Sequence, residues 1–468
     1  MTRRHLLVLA GVLVLSACQT PAEAPPAPGD QASSGEAQDE QTADPSSSMP
    51  SANEAPSFCD TFDPAALSWF ELGAEDPSPE QTDQGVSVTV SSTRLPDVSA
   101  SRYNTLSEIC PGFFVAITHE GEARLIALED RTWAELPAIE PAGELRNPPA
   151  PGIEGGGPVW GFRDSLAVND TLFLSDAVVD TDKECVYVAV HRIAVDQLIR
   201  EEAPQTDVIY RSEPCVSYAD SYRSRAPIKT HLGGALAFSP LQDELYVSIG
   251  DLHLGSSTIG QAESIGIENV EKDYAILRSP TAAVSAVAAI STPFDSATGR
   301  VFSKGLRNSL GMTVTASGDV WLSDHGPSGG DELNRIQEGA DYGWPLTSLG
   351  QPYDRSSYPQ DSSALPAPWL DIYQAEIPGS TPPAYSWTPA VAPTSVVEYP
   401  SEGIEQWRGT LVMSSLRAQS VIVLSQDSGN TVEQDRLGVG ERIRDMVVTA
   451  SGELVMVTDS SRLVVVSN

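Results

Sequence analysis

Basic residues are scarce in this chain of 468 residues. It has 28 Lys and Arg against 64 Asp and Glu, which gives a formal net charge of −36. Binding to nucleic acid depends on neutralising phosphates with Lys and Arg, so this balance argues against a nucleic-acid partner. An anionic surface keeps a protein soluble and apart from anionic membranes. The ordinary explanation of the acidity is a solvated acidic face.

Long apolar runs are also missing. The apolar run Leu6–Leu15 is too short for a permanent membrane span. It follows a charged start with Arg3 and Arg4 and ends in Leu-Ser-Ala before Cys18, which is typical of a secretory signal. The leucine three positions before Cys18 further resembles a bacterial lipoprotein box. We therefore expect residues 1–18 to be a lipoprotein signal, with Cys18 acylated and anchoring the chain to a membrane; a plain secreted protein is the alternative.

Residues 19–57 have almost no large apolar side chains and consist mainly of Pro, Ala, Ser, Gln, Glu and Asp. Such a segment cannot bury enough surface to offset the entropy lost on ordering. We expect a disordered linker that spaces a membrane anchor from a folded domain. Residues 58–468 then form one domain. This length is greater than that of most single domains but is normal for a repeat architecture.

Amphipathic helical patterns are few, whereas 36 Gly and 36 Pro favour turns between short strands. Four segments repeat a polar turn, a short apolar strand and a small or acidic end: 169–176, 243–251, 317–324 and 451–459, with 409–416 as a fifth variant. The spacing near 75 residues between Asp176, Asp251 and Asp324 suits a four-stranded blade with long loops. The pattern predicts an all-β propeller whose first blade covers residues 86–136.

Cysteine is rare, and an even number remains once Cys18 is set aside: Cys59, Cys110, Cys185 and Cys215. An even number in an exported chain is typical of disulfide bonds. Pairing of nearest neighbours, Cys59 with Cys110 and Cys185 with Cys215, is one of the possible connectivities, and the sequence leaves the others open.

The strongest local pattern lies in residues 301–345. It contains Gly-Leu-Arg-Asn at 305–308, a strand ending at Asp324, His-Gly-Pro at 325–327, Gly-Asp-Glu-Leu-Asn at 330–334 and Tyr-Gly-Trp-Pro at 342–345. These motifs resemble the glucose/sorbosone dehydrogenase family. The resemblance implies a six-bladed β-propeller of four-stranded antiparallel blades that holds pyrroloquinoline quinone (PQQ) and calcium on its axis.

The glycines and proline of 325–330 allow a sharp turn that presents bare carbonyl oxygens, which are hard ligands suited to calcium. The resemblance implies that the carbonyls of Gly326 and Pro327 bind this calcium. Without the resemblance, an acidic surface loop is the simpler interpretation.

His231 lies in a His-X-Gly-Gly segment, where the family has its general base. The resemblance implies that His231 takes the proton of an anomeric hydroxyl while hydride leaves the same carbon for the quinone. The alternative for a lone histidine at such a place is a structural role.

Arg442 and Arg444 alternate on one strand face, with Asp445 as the only acidic partner expected. PQQ is a tricarboxylate, and guanidinium groups pair with carboxylates in a two-pronged geometry. The family has the same Arg-X-Arg-Asp arrangement, and Arg417 occupies the place of a further cofactor contact. The ring of Trp387 is expected to stack on the cofactor or sugar, with core packing as an equal alternative.

Several positions depart from the family. Ala235 replaces an arginine common after Gly-Gly, and residues 252–255 lack an arginine usual near the quinone oxygens. His253 is a possible replacement donor there, although a solvent-facing loop histidine is the simpler expectation. The segment 154–161 resembles a first-blade loop but lacks a polar cofactor contact.

The first hypothesis is a PQQ- and calcium-dependent oxidoreductase that oxidises an aldose to its lactone and passes electrons to an unknown acceptor. It would be lipid-anchored in a bacterial envelope, with the folded domain periplasmic or extracellular. The second hypothesis is a non-catalytic propeller that binds a carbohydrate or an envelope protein. Pairing of Arg442 and Arg444 with carboxylates, facing away from His231, would favour the second.

Overall fold

The computed structural model describes residues 57–74, 77–98, 102–142, 161–200, 204–217, 220, 231–255, 267–294, 299–350, 379–427 and 429–468. The predicted signal with Cys18, nearly all of the linker and the loop 154–160 lie outside these residues. Three α-helices have defined bounds, α1 (Phe58–Thr61), α2 (Val195–Arg200) and α3 (Ile267–Arg278). No helix in the described ranges is long and apolar enough to cross a membrane.

Twenty-seven strands of the described chain form six antiparallel sheets. The first sheet contains β1 (Trp69–Glu71), β4 (Tyr103–Cys110), β5 (Phe113–Thr118), β6 (Ala123–Ala127) and β7 (Thr132–Leu136); the second contains β8 (Gly161–Val168), β9 (Thr171–Asp180), β10 (Cys185–Ala194), β11 (Asp207–Arg211) and β12 (Val216–Ser217); the third contains β13 (Gly233–Ser239), β14 (Glu244–Ile249), β15 (Ala286–Ser291) and β16 (Arg300–Lys304). The fourth contains β17 (Ser309–Val314), β18 (Val320–Asp324), β19 (Asp331–Ile336) and β20 (Tyr385–Trp387); the fifth contains β21 (Pro393–Glu398), β22 (Leu411–Ser415), β23 (Ser420–Asp427) and β24 (Asn430–Gly438); the sixth contains β2 (Ser78–Gln81), β3 (Ser87–Arg94), β25 (Ile443–Val448), β26 (Leu454–Thr458) and β27 (Arg462–Ser467).

The six sheets are blades around one axis. Their inner strands are β4, β8, β13, β17, β21 and β25, and each of these contacts the inner strand of the next sheet, with β25 returning to β4. The predicted six-bladed propeller is therefore confirmed. Radial repetition of this kind leaves only short sheet edges exposed.

The ring is closed by strands from both ends of the domain. In the sixth blade β3 pairs with β27 from Arg94 opposite Arg462 to Thr89 opposite Ser467. The prediction that residues 86–136 form the first blade is thus wrong at its start, because β3 belongs to the closing blade. Alternating apolar residues identify a strand, but its partner lies more than 360 residues away and leaves no local signal.

The repeated segments found in the sequence are the second strands of blades. β14, β18 and β26 run antiparallel to the inner strands, so their last residues lie beside the first residues of those strands, as Ser309 lies opposite Asp324. Residues that precede an inner strand and acidic residues that end a second strand consequently meet at one end of the propeller. The first repeat differs, since β9 continues beyond Asp176 to Asp180.

All six inner strands carry a register shift within their first few residues. Such a bulge bends the strand and changes the direction of nearby side chains. In β8 the shift lies between Phe162 and Asp164, and in β25 it lies between Ile443 and Asp445. Arg163 and Arg444 therefore occupy equivalent positions in the second and sixth blades.

Both nearest-neighbour disulfides form, which confirms that prediction. Cys59 of α1 is bonded to Cys110 at the end of β4, and Cys185 at the start of β10 is bonded to Cys215. The first bond fastens the segment that enters the domain to the first blade. The second fastens the outer part of the second blade.

Replacing both Cys185 and Cys215 by Ser should lower the free energy of unfolding by about 2–4 kcal/mol, because the reduced chain regains the entropy of an open loop. The check is urea unfolding of the double variant beside the parent protein, with the parent under reducing conditions as a control. A change below about 0.5 kcal/mol would contradict a stabilising role for this bond.

Candidate active site

His231 lies two residues before β13 and is 5% exposed. Its Nδ1 is 2.9 Å from Oδ1 of Asp251, and its ring stacks on His253 with centroids 4.1 Å apart. The same carboxyl group accepts hydrogen bonds from Trp344 Nε1 at 2.9 Å and from the His253 backbone N–H at 2.9 Å. The ring of His231 is therefore fixed in orientation by a buried and fully bonded carboxylate.

Arg307, which precedes β17 by two residues, lies against the other ring nitrogen. Its Nη2 is 2.8 Å from Nε2 of His231. A guanidinium can only donate, so Nε2 is the unprotonated nitrogen and Nδ1 carries the hydrogen donated to Asp251. The guanidinium also lies over the Trp344 ring, 5.4 Å from its centroid. The Nε2 lone pair of His231 is thus directed into the site.

The electrostatics keep this histidine neutral. Burial first, and then the charge of Arg307, hold the pKa of His231 well below its usual range. Burial also lowers the pKa of His253 and raises the pKa of Asp251. An imidazole that is neutral, oriented by a carboxylate and unprotonated at one nitrogen can act as a general base.

Two sequence expectations about this region are corrected. His253 is 3% exposed and stacked on His231, so it is not a solvent-facing loop residue. Residues 252–255 lack an arginine, but the site still has a cation beside His231, because Arg307 reaches it from the fourth blade. Arg307 belongs to the Gly-Leu-Arg-Asn motif, but the sequence analysis assigned it no role. Its contact with His231 depends on the packing of two blades and has no signal in local spacing.

The loop after β18 is held by side-chain carboxylates. Asp331 accepts hydrogen bonds from the backbone N–H groups of Gly326, Val391 and Ala392 at 2.7–2.9 Å. Asp324 accepts from the backbone N–H groups of Arg307 and Asn308. These two carboxylates therefore shape the backbone of the site.

The Gly326 carbonyl does not fit the role of a calcium ligand in this arrangement. It accepts a hydrogen bond from Nη1 of Arg307 at 3.0 Å, so a cation already faces it. Pro327 is buried beside it. In the part of the chain that the structure describes, no group of three or more His, Cys, Asp or Glu side chains could hold a metal ion.

A cluster of arginines faces the start of the first and sixth blades. Arg442 Nε is 2.7 Å from Oδ2 of Asp459, and Arg444 also pairs with Asp459, at 3.1 Å for Nη2. Arg102, just before β4, is 3.5 Å from the same carboxylate. The expected partner Asp445 is not involved, because it accepts from Leu106, Ser395 and Met446 instead.

Asp459 is thus one carboxylate shared by three guanidinium groups. Burial alone would raise the pKa of Asp459, but the bonds and charge of Arg444 and Arg442 hold it below its usual range. Two positive charges remain after this pairing. Planar guanidinium groups with surplus charge suit a ligand with several carboxylates, so the donor set fits PQQ.

Arg417 and Trp387 are the two other residues predicted to contact the cofactor, and their surroundings differ. Arg417 is exposed, and no hydrogen bond of its side chain to the described residues is found. Trp387 is 5% exposed in the core between the fourth and fifth blades, and its Nε1 donates to Glu433 at 2.8 Å. This packing favours the core alternative for Trp387.

A cavity of about 720 Å³ lies between the first and sixth blades, lined among others by Glu108, Thr449 and Glu453. These residues lie near the far ends of β4 and β25, away from the strand starts that carry His231 and the arginines. The cavity is therefore not part of the candidate active site.

The fold and this polar site together define a six-bladed propeller with a candidate active site at one end of its axis. The family model for glucose/sorbosone dehydrogenase matches residues 161–465, well over half of the chain. The chain belongs to the glucose/sorbosone dehydrogenase family, as its motifs predicted.

Among curated relatives, the aldose sugar dehydrogenase YliI of Escherichia coli is 33% identical over 164 residues, 34% of this chain and 41% of that protein. Quinoprotein glucose dehydrogenase B of Acinetobacter calcoaceticus is 24% identical over 286 residues, 50% of this chain and 60% of that protein. The chain therefore spans less than two thirds of the length of these relatives.

Solved structures show the same fold at lower identity. The apo form of the soluble aldose sugar dehydrogenase from Escherichia coli aligns with a TM-score of 0.58 at 22% identity, covering 81% of this chain and 99% of that one. The PQQ-bound form of an aldose sugar dehydrogenase from Streptomyces coelicolor aligns with a TM-score of 0.51 at 16% identity, covering 81% and 98%.

The ordinary pKa of histidine is about 6.5, and His231 should remain neutral as the pH falls through that value. Because the unfolded chain binds this proton first, the residue's contribution to stability is complete above about pH 6.5 and is lost as the pH falls towards the folded pKa. In Arg307→Leu the pKa of His231 should rise, since a neighbouring positive charge is removed. NMR titration, with the signal assigned from His231→Asn, checks both; a midpoint at or above 6.5 in the parent protein would contradict the site geometry.

Proposed function

We propose that this protein is a PQQ-dependent dehydrogenase that oxidises an aldose to its lactone. The observation that carries the proposal is the neutral His231, oriented by Asp251 at Nδ1 and unprotonated at Nε2, where Arg307 now donates. Family membership supports an oxidoreductase acting on sugars. The name of the Streptomyces coelicolor structure, a PQQ-bound aldose sugar dehydrogenase, supports the choice of cofactor.

Arg442, Arg444 and Arg102 would hold the carboxylates of PQQ, with Arg417 as a further contact from the fifth blade. When bound, PQQ supplies an acceptor for the hydride that leaves the anomeric carbon. Asp459 keeps Arg442 and Arg444 side by side while leaving net positive charge. The calcium expected at Gly326 and Pro327 is not part of this proposal, because Arg307 faces the Gly326 carbonyl.

His231 performs the proton transfer. Its Nε2 takes the proton of the anomeric hydroxyl. The O–H bonding electrons then form the C1=O bond of the lactone as the hydrogen on C1 leaves with the C–H bonding electrons as hydride. Arg307 now donates to this nitrogen, so it must shift when the hydroxyl arrives and is then available to a developing negative charge. Asp251 stabilises the imidazolium formed after proton transfer.

We further propose that the folded domain works in the bacterial envelope, periplasmic or extracellular, on a lipid anchor at Cys18. The proposal rests on the signal-like residues 1–18 and the polar residues 19–57. The electron acceptor is a separate partner of unassigned identity.

A non-catalytic propeller that binds a carbohydrate or an envelope protein is the second candidate. One observation favours it, because Arg442 and Arg444 do pair with a carboxylate, Asp459. They nevertheless lie at the same end of the propeller as His231, at the starts of inner strands. The arginines therefore remain placed for a ligand at the axis.

The test is dye reduction by the purified full chain with added PQQ across a panel of aldoses, with and without calcium. Sugar-dependent reduction is the expected result. Absence of reduction together with no PQQ-induced rise in melting temperature would reject the proposal and favour the binding protein.

His231→Ala should keep PQQ affinity and lose turnover, whereas Arg444→Ala should weaken PQQ binding by at least about tenfold, about 1.4 kcal/mol. The two residues contact different ligands, so their effects separate. Fluorescence titration measures binding and dye reduction measures turnover. Equal PQQ affinity in Arg444→Ala and the parent would refute the carboxylate assignment.

Asp251→Asn should lower kcat by roughly 10²–10⁴-fold with little change in PQQ affinity, because an amide no longer holds the His231 Nδ1–H tautomer. Asp243, an exposed acidic residue before β14 in the same blade, provides the matched control as Asp243→Asn. If both variants retain parental kcat, Asp251 has no part in orienting the base.

A further inference from the structure

Arg163 is a basic residue at the heart of this end of the propeller that the motifs did not identify. It is the bulged residue of β8, and its Nε makes a long contact of 3.5 Å with the Gly233 carbonyl. Within the described residues it forms no ion pair. Arg163 is only partly exposed, and a guanidinium held there without a carboxylate partner among the described residues is costly, so its presence requires an explanation.

The charges around Arg163 increase that cost. Burial first, then Arg444 and Arg102, lower the pKa of Arg163 to about 10, so it is still a cation at neutral pH. The neighbouring Asp164 is a poor counterion. It accepts from the backbone N–H groups of Leu236 and Ser165, and burial and Asp445 hold its pKa well above the usual range.

The surrounding backbone is built to hold Arg163 in place. Asn104 on β4 donates to the Arg163 carbonyl at 3.2 Å and to the Phe162 carbonyl at 2.9 Å. On the other side lies Gly234, with a φ of +109°, where a Cβ would come within 2.4 Å of the Arg163 Cβ. Gly234 therefore leaves room for Arg163 beside the segment that carries His231.

A buried histidine lies on the same side of the site. His119, after β5, is 5% exposed, and its Nε2 has no hydrogen-bond partner among the described residues; Glu120 Oε1 is 3.7 Å away. Burial, then Arg102, Arg163 and Arg444, lower the pKa of His119 to about 4. His119, Arg102 and Arg163 thus lie at the same end of the first and second blades, where each can donate a hydrogen bond to a ligand.

We propose that Arg163, Arg102 and His119 form a carboxylate-binding subsite between His231 and the arginines Arg442 and Arg444. Among the described residues, Asp459 pairs with Arg102, Arg442 and Arg444, so these cations outnumber it. The bound carboxylate belongs either to PQQ or to an acidic sugar such as a uronate. The inference rests on the proposed function for the identity of these two ligands.

The first measurement is the melting temperature of the full chain with no ligand. Arg163→Met keeps the length of the side chain and removes its charge, so the melting temperature should be unchanged or higher than in the parent, because an unpaired cation is removed. Arg335→Met, which breaks an exposed pair with Asp319, is the control. A fall of several degrees in Arg163→Met alone would overturn the proposal in favour of a structural role.

The second measurement identifies the source of the carboxylate. A tenfold or larger loss of PQQ affinity in Arg163→Met assigns the subsite to the cofactor. Unchanged PQQ affinity with a tenfold loss of kcat/KM on a uronate, and none on the matching neutral aldose, assigns it to the substrate. Unchanged values in both arms overturn the subsite while leaving the dehydrogenase proposal intact.

Citrate provides a readout that is independent of the dehydrogenase proposal. If the parent binds no PQQ, that proposal fails, and the rise in melting temperature with millimolar citrate decides the subsite alone. A rise in the parent and in Arg335→Met, abolished in Arg163→Met, supports carboxylate binding. An equal rise in all three, or none in any, overturns it.

Discussion

The pairing of β3 with β27 is the constraint on which the rest of the molecule depends. It closes the ring with strands from the two ends of the domain, so all six inner strands start at the same end of one axis. The side chains before those strands then converge from different blades. His231, Arg307 and Arg442 are far apart in sequence but lie at the same end of the propeller, at the starts of inner strands. Loss of closure would remove the site together with the fold.

Burial gives the convergent side chains their chemistry. Removing His231 from water keeps its imidazole neutral, and a paired Asp251 and a donating Arg307 assign each ring nitrogen a role. An exposed histidine would populate two neutral tautomers and a charged form. Burial of these side chains costs desolvation free energy. The packing of the blades, rather than any local stretch of sequence, offsets this cost.

The arginines differ from His231, because they keep their charges although they lie close together. Arg102, Arg163, Arg442 and Arg444 lie close enough for their charges to interact, with Asp459 as the acidic side chain that pairs with three of them. Such an arrangement lowers stability in the absence of a ligand and becomes favourable when a polyanion binds. Stability and binding therefore make opposite demands on the same residues.

Local sequence was sufficient for the all-β class, the repeated second strands ending at Asp251, Asp324 and Asp459, and the family motifs, because turn residues and short apolar strands act over a few positions. It indicated disulfide bonds, but the structure decided their pairing. It was insufficient for the partner of β3, the burial of His253, the pairing of Arg442 and Arg444 with Asp459, the contact of Arg307 with His231 and the position of Arg163 over Gly234. Each of these depends on which blades are neighbours. That adjacency is set by long-range strand pairing and closure of the ring, which no local pattern of residues encodes.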